Sequence, residues 1–149
     1  MEGRNIGKLF ERYLPYLYAT MRVVVGFLFA CHGAQKLFGV LGNSGGAAAT
    51  FSMPWFAGLI ELLAGFLVLI GFLTRYAALV ASVEMVVAYF LMHFQNGLWP
   101  ISNGGELAVL YCFIFLFIAT RGAWACSVET LLEKSRAVPQ TKEPHGQAA

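Results

Sequence analysis

Four apolar runs, separated by short polar or glycine-rich breaks, set the pattern of this chain, and an ionisable residue interrupts each of them. A membrane-spanning helix needs about 20 predominantly apolar residues. The pattern predicts spans over about 17–38, 54–73, 76–94 and 105–120. The first break is GVLGNSGGAAATFSM, whose glycines make a regular helix hard to sustain. Pro54, just after it, suits the first turn of the next helix. Thr74-Arg75 forms a tight turn between the second and third runs. Asn96, Gly97, Pro100, Asn103 and Gly104 break the chain before the fourth. Short loops between four spans predict an all-α integral membrane protein, an antiparallel four-helix bundle occupying residues 14–125. Residues 1–13 form a basic tail. Residues 126–149 form a polar tail in which SVETLLE makes a short surface helix and the last dozen residues are disordered. The first run is expected to be retained rather than cleaved as a leader, because bulky Phe29 sits beside the only resemblance to a cleavage box.

Basic residues orient the chain. With the N-terminus inside, Arg4, Lys8, Arg12, Arg75, Arg121, Lys134, Arg136 and Lys142 lie on the cytoplasmic side and only Lys36 lies near the outer face, which predicts an N-in, C-in topology. Tyr13, Tyr16, Tyr18, Tyr76 and Trp124 then mark the inner interface, and Trp55 and Trp99 the outer one.

Composition agrees with this reading. Hydrophobic residues make up 58% and charged residues 12%, with no Asp and a mean hydropathy of +0.66, against about 25% charged in soluble proteins. The bilayer is the first partner. No run of Lys or Arg suggests nucleic acid, and the net charge of +2 singles out no other partner. Cys31, Cys112 and Cys126 form no CxxC pair and read as small hydrophobes; no metal site is expected.

The candidate chemistry lies in the charges. A carboxylate near mid-bilayer costs roughly 2.5 to 3.5 kcal/mol, so Glu61, Glu84 and Glu106 each imply a partner or a task. At 100° per residue, Arg22, Gly26, Phe29, Gly33 and Lys36 share a stripe of the first span, with His32 at its edge. Gly58 and Gly65 accompany Glu61; Ala77, Ala81 and Ala88 accompany Glu84. Small residues of this kind favour close packing in lipid. At about 1.5 Å per residue, Arg22 and Glu84 lie about 8 and 12 Å from the cytoplasmic boundary and are expected to form an intramembrane ion pair, either structural or functional. Glu61 lies about 10 Å below the outer boundary, and His32, Lys36, His93 and Glu106 fall in the outer third. These residues predict one polar cluster opening outward, able to bind a ligand or handle protons. His32 and His93 also read as ordinary interfacial side chains. Haem is not expected, because paired haems need more well-placed histidines than these two. Phe113 and Phe117 share a face with Glu106, where a ring can stack on a quinone or simply pack.

An ordered series of short motifs carries a resemblance. Arg22 and Gly26, then His32-Gly33-x-x-Lys36-Leu37, Gly58-x-x-Glu61-Leu62, Gly71-Phe72-Leu73-Thr74-Arg75 and Asn103-Gly104-Gly105-Glu106 resemble the DoxX family of small bacterial membrane proteins over about residues 15–125. The resemblance implies four spans in the bacterial inner membrane and an association with quinone-linked redox complexes; the family takes its name from a subunit of a thiosulfate:quinone oxidoreductase. Sulfur oxidation by this chain alone is not expected, since no redox cofactor site is evident. The leading expectation is a membrane subunit that meets a quinone and a soluble redox partner. In it Arg22, His32, Lys36 and His93 bind the ligand, and Glu61 and Glu106 handle protons. The alternatives are a small-anion or ion-coupled permease acting as a homo-oligomer, and a membrane anchor for a soluble enzyme.

Overall fold

The computed structural model describes residues 2–42 and 45–136. Every regular element among them is helical: α1 (Glu2–Phe38), α2 (Met53–Ile70), α3 (Thr74–Ala88), α4 (Pro100–Asn103), α5 (Glu106–Arg121) and α6 (Val128–Arg136). Three helices are long and apolar enough to cross a membrane: the Phe10–Phe38 part of α1, α2, and α3 with its extension to Asn96. The fourth expected span, α5, has 16 residues, about 24 Å at 1.5 Å per residue.

Three expected boundaries change. The turn expected at Thr74-Arg75 falls at Gly71, Phe72 and Leu73, because Gly71 ends α2 in the left-handed region, and Thr74 and Arg75 open α3. Residues 2–13, read as a tail, continue the first helix, which carries Pro15 in its interior. The third helix loosens at its far end into a π turn, Tyr89–His93, and a 3-10 turn, Phe94–Asn96. The short helix expected from SVETLLE is present as α6. The disordered final dozen residues of the sequence reading lie outside the described residues.

The starts and stops have local causes. Ser52 caps α2 by accepting from the Trp55 amide at 3.3 Å, with Pro54 in the first turn. Gly71 ends α2 at φ 73°, and its amide donates back to the Leu67 and Val68 carbonyls.

α1 and α2 pack with their backbones almost touching and run in opposite directions. A Cβ on Gly26 would meet Leu69 N at 2.7 Å and Gly65 O at 2.8 Å; one on Gly65 would meet Ala30 N at 2.5 Å; one on Gly33 would strike Leu62 N and Gly58 O. Four glycines, two per helix and seven residues apart on each, therefore form the interface, where small residues allow close van der Waals packing. α3 packs on α5 and more lightly on α2. The Ser82 hydroxyl donates to the Cys112 carbonyl at 2.9 Å between α3 and α5. Phe29 from α1 is fully buried against Tyr111 and Phe115 of α5. Large apolar side chains such as Phe27, Phe66, Val83 and Phe113 face outward, the pattern expected where lipid rather than water surrounds the helices.

Candidate functional site

A cavity of about 670 Å³ lies at the end of the molecule where α1 stops and α3 loosens, reached by His32, Lys36, Glu61, Glu84, His93 and Tyr111. Helical spacing brings the first four together. The glycine contact presses α1 and α2 so close that Lys36, one turn beyond His32, reaches Glu61 directly, its ammonium donating to Oε1 at 2.7 Å. Lys36 remains 35% exposed along its side chain while Glu61 is only 4% exposed, so the pair sits at the cavity wall with its carboxylate inside. Glu84, from α3, is within electrostatic reach of both Glu61 and Lys36. Glu61 Oε2 and Glu84 Oε2 are buried without a hydrogen-bond partner among the described residues. His32 also acts on Glu61 electrostatically and stands edge-on to the Tyr111 ring.

The rim nearest His93 is built by the loop before α5. Buried Asn103 donates to the Gly97 carbonyl at 2.7 Å and accepts from the Gly105 amide at 2.8 Å. Tyr89 donates to the Leu98 carbonyl at 2.6 Å. His93 Nδ1 lies 3.2 Å from the Asn103 carbonyl oxygen. A carbonyl only accepts, so Nδ1 carries the proton and the other ring nitrogen is an acceptor when the ring is neutral. A π turn beside a cavity is a recurrent feature of functional sites, and this one places His93 on the lining.

The remaining walls are apolar. Met53 and Phe56 of α2, Val87 of α3, and Leu91 and Met92 of its extension line the cavity and are exposed. The cavity thus opens sideways between α2 and the end of α3.

Four sequence-derived candidates, His32, Lys36, Glu61 and His93, are brought together, and Glu84 joins them. Two are not. Arg22 does not pair with Glu84. Its fully buried guanidinium donates to the carbonyls of Val68 at 2.5 Å, Leu69 at 3.0 Å and Cys126 at 2.8 Å. The physical reason is that the last carbonyls of α2 lack the amide four residues on and carry the negative end of the helix dipole; the Val68 carbonyl is shared with the Gly71 amide. Arg22 therefore sits level with the α2–α3 turn, ten residues of α3 away from Glu84, or about 15 Å. Glu106 does not join the cluster either. It is exposed in the first turn of α5, off the cavity lining. Its depth was legible but not its direction, which the left-handed turn at Gly104 sets. Tyr18, expected at the interface, is buried and donates to the Gly122 carbonyl at 2.6 Å.

Tyr111 and Asn103 were missed as site residues. A tyrosine inside the apolar run of α5 is the signal that was available for Tyr111. Asn103 was legible only as part of a loop motif.

The chain matches the DoxX family model over residues 17–94. An uncharacterized protein of Haemophilus influenzae is 41% identical over 124 residues, covering 80% of this chain and 92% of its own length. An uncharacterized membrane protein of Mycobacterium tuberculosis is 31% identical over 124 residues, covering 70% and 76%. No solved structure matches significantly. The matched segment carries the paired glycines of α1 and α2, the Lys36–Glu61 contact, Glu84 and His93, so family membership and cavity coincide: this chain is a membrane protein of the DoxX family.

Proposed function

We propose that the protein crosses the bacterial inner membrane four times, with both ends in the cytoplasm, and that its cavity holds the headgroup of a membrane quinone for a redox complex. The observation that carries this reading is the sideways opening of an apolar cavity onto a polar floor. A quinone has a flat polar head on an apolar tail, and such a ligand enters from the acyl-chain region. The orientation is supported by Arg12, Arg75, Arg121 and Lys134, which all belong to the end of the molecule opposite Lys36. α5 completes the bundle through its packing on α3, although it is shorter than a full crossing.

In this reading Lys36, which has donors beyond the one given to Glu61, supplies a hydrogen bond to a quinone carbonyl. Glu61 relays a proton from its unpartnered oxygen. Reduction of a quinone takes up two electrons and two protons; the electrons come from a partner oxidoreductase, and the cavity supplies position and a proton route. Arg22 and Glu106, outside the cavity, have no part in it.

Protein purified in mild detergent should carry a quinone identifiable by solvent extraction and chromatography. Glu61→Gln should retain the folded helices by circular dichroism and lose at least about tenfold in affinity for an added short-chain quinone. Unchanged affinity in a folded Glu61→Gln protein counts against the proton role. Absence of saturable quinone binding in the unmodified protein counts against the whole reading.

A further inference from the structure

The charges around the cavity do not balance, and the sign of the remainder points to a ligand class outside the quinone reading. The ionisable groups that face it are His32 and Lys36 from α1, Glu61 from α2, Glu84 and His93 from α3 and its extension, and Tyr111 from α5. Lys36 is committed to Glu61 at 2.7 Å, the one ion pair among the described residues. Arg22 is held by backbone carbonyls at the other end. Among the described residues Glu84 is left 91% buried with no counter-charge in contact and one oxygen unpartnered, and the second oxygen of Glu61 is unpartnered beside the same space. A buried carboxyl in apolar surroundings is tolerable in two ways: carrying a proton, or facing a positive charge. An anion entering here would add a second unmatched negative charge; a monocation would close the account.

The walls favour an organic cation over a hydrated metal ion. Phe56 and Tyr111 offer aromatic surfaces, and Met85 and Met92 polarizable thioethers. Such surfaces attract alkyl- and aryl-substituted cations through ring quadrupoles and dispersion. The volume, about 670 Å³, suits a ligand of drug size, and the sideways opening admits a solute that has partitioned into the bilayer.

We propose that this cavity binds lipophilic monocations in exchange for one proton at Glu84. The cation enters beside the carboxyl, the O–H bond of Glu84 breaks, one proton leaves to solvent, and the carboxylate keeps the cation as its counter-ion. No electron is transferred and no other bond changes. A cation and a proton cannot both occupy the carboxyl, so each weakens the other's binding by linkage. His32 of α1 and His93 of the α3 extension face the same space.

The test uses the full-length protein in detergent and two ions of one shape and opposite charge, tetraphenylphosphonium and tetraphenylborate. Labelled tetraphenylphosphonium should bind saturably, near one per chain, and tetraphenylborate should fail to displace it. Lowering pH from about 8 to about 5 should weaken binding by about tenfold or more, with proton release on binding seen by a pH indicator. Glu84→Gln should lose about tenfold in affinity and release no proton; Glu84→Asp should keep both in part. Equal binding of the two ions overturns the proposal on unmodified protein, whatever the variants do, and so does proton release that survives Glu84→Gln. A short-chain quinone titrated on the same preparation reports separately on the quinone reading, because neither ligand's failure entails the other's.

Discussion

The two ends of the molecule handle buried charge in opposite ways. At the arginine end, a fully buried guanidinium is met by three backbone carbonyls from two segments. Arg75 likewise donates to the carbonyls of Ala119 at 3.1 Å and Thr120 at 2.6 Å, and Glu129 accepts from the Thr74 amide at 3.0 Å, capping α3. Charge here closes helix ends on one another. At the cavity end, among the described residues, one ion pair serves two carboxylates, and an oxygen of each is left without a partner. A polar group without a partner in a low-dielectric interior is costly, so the first end reads as built for stability and the second as held open for a ligand. The arginine end is not perfect: Arg22 Nε and Thr74 Oγ1 also lack partners among the described residues. The difference is that its charge has been met.

The largest effect should come from removing Arg22. Arg22→Met keeps the length and apolar stem but leaves three carbonyls at a crowded junction, where a Cβ on Gly71 would already meet Arg22 Nη1 at 2.7 Å. Hydrogen bonds to a charged group contribute about 1.5–3 kcal/mol each. With partial relaxation, a loss of about 3 kcal/mol or more is expected in denaturant unfolding of the purified protein. Arg22→Lys should rescue little of it, since a point charge cannot reach three carbonyls as a planar fork does. Full stability in Arg22→Met would mean that the two ends do not differ in kind.

The contrast also shows what side-chain pattern can and cannot reveal. Helix period identified the stripe of Arg22, Gly26, Phe29, Gly33 and Lys36, and those residues do face α2 or the core. It also placed Glu61 between its two glycines. Pairing was another matter. Counted depth pairs Arg22 with Glu84, both charged side chains, whereas the partners of Arg22 are backbone carbonyls, two of them at a helix end, which every sequence possesses and no residue type announces. The left-handed backbone at Trp124 and Cys126, with φ of 49° and 51°, accompanies the carbonyl that Cys126 presents to Arg22; nothing in the residue names signals it. Glu106 failed for a similar reason: a left-handed glycine resets the helical phase just before it. The π turn at Tyr89–His93 shifts phase too, so His93 reaches the cavity beside a loop whose Asn103 reads in sequence as a plain helix breaker.

A smaller effect tests the cavity end as an ion pair. Lys36→Met alone leaves Glu61 buried without its cation, and Glu61→Gln alone leaves an ammonium that is partly exposed and can reach water. The first should therefore cost more than the second, and the double variant less than the sum of the two. A coupling of about 0.5–3 kcal/mol is the range for residues in contact. Unfolding of the four proteins in one denaturant series measures it. Simple additivity would show that the 2.7 Å contact contributes no energy, leaving both carboxylates in the cavity without effective partners.

The smallest expected effect is the most telling. Glu84 is as deeply placed as many core residues, yet no hydrogen bond or ion pair to its side chain is found among the described residues, and one oxygen is unpartnered. Glu84→Gln keeps the shape and removes the charge, so it forfeits no contact and relieves an uncompensated group. Unfolding stability should change by less than about 1 kcal/mol, the worth of one ordinary hydrogen bond, and in the stabilising direction. A buried carboxyl whose removal costs nothing in folding is kept for something other than folding. If Glu84→Gln instead destabilises as much as Arg22→Met, Glu84 has a structural partner after all, and the cavity end is as closed as the arginine end.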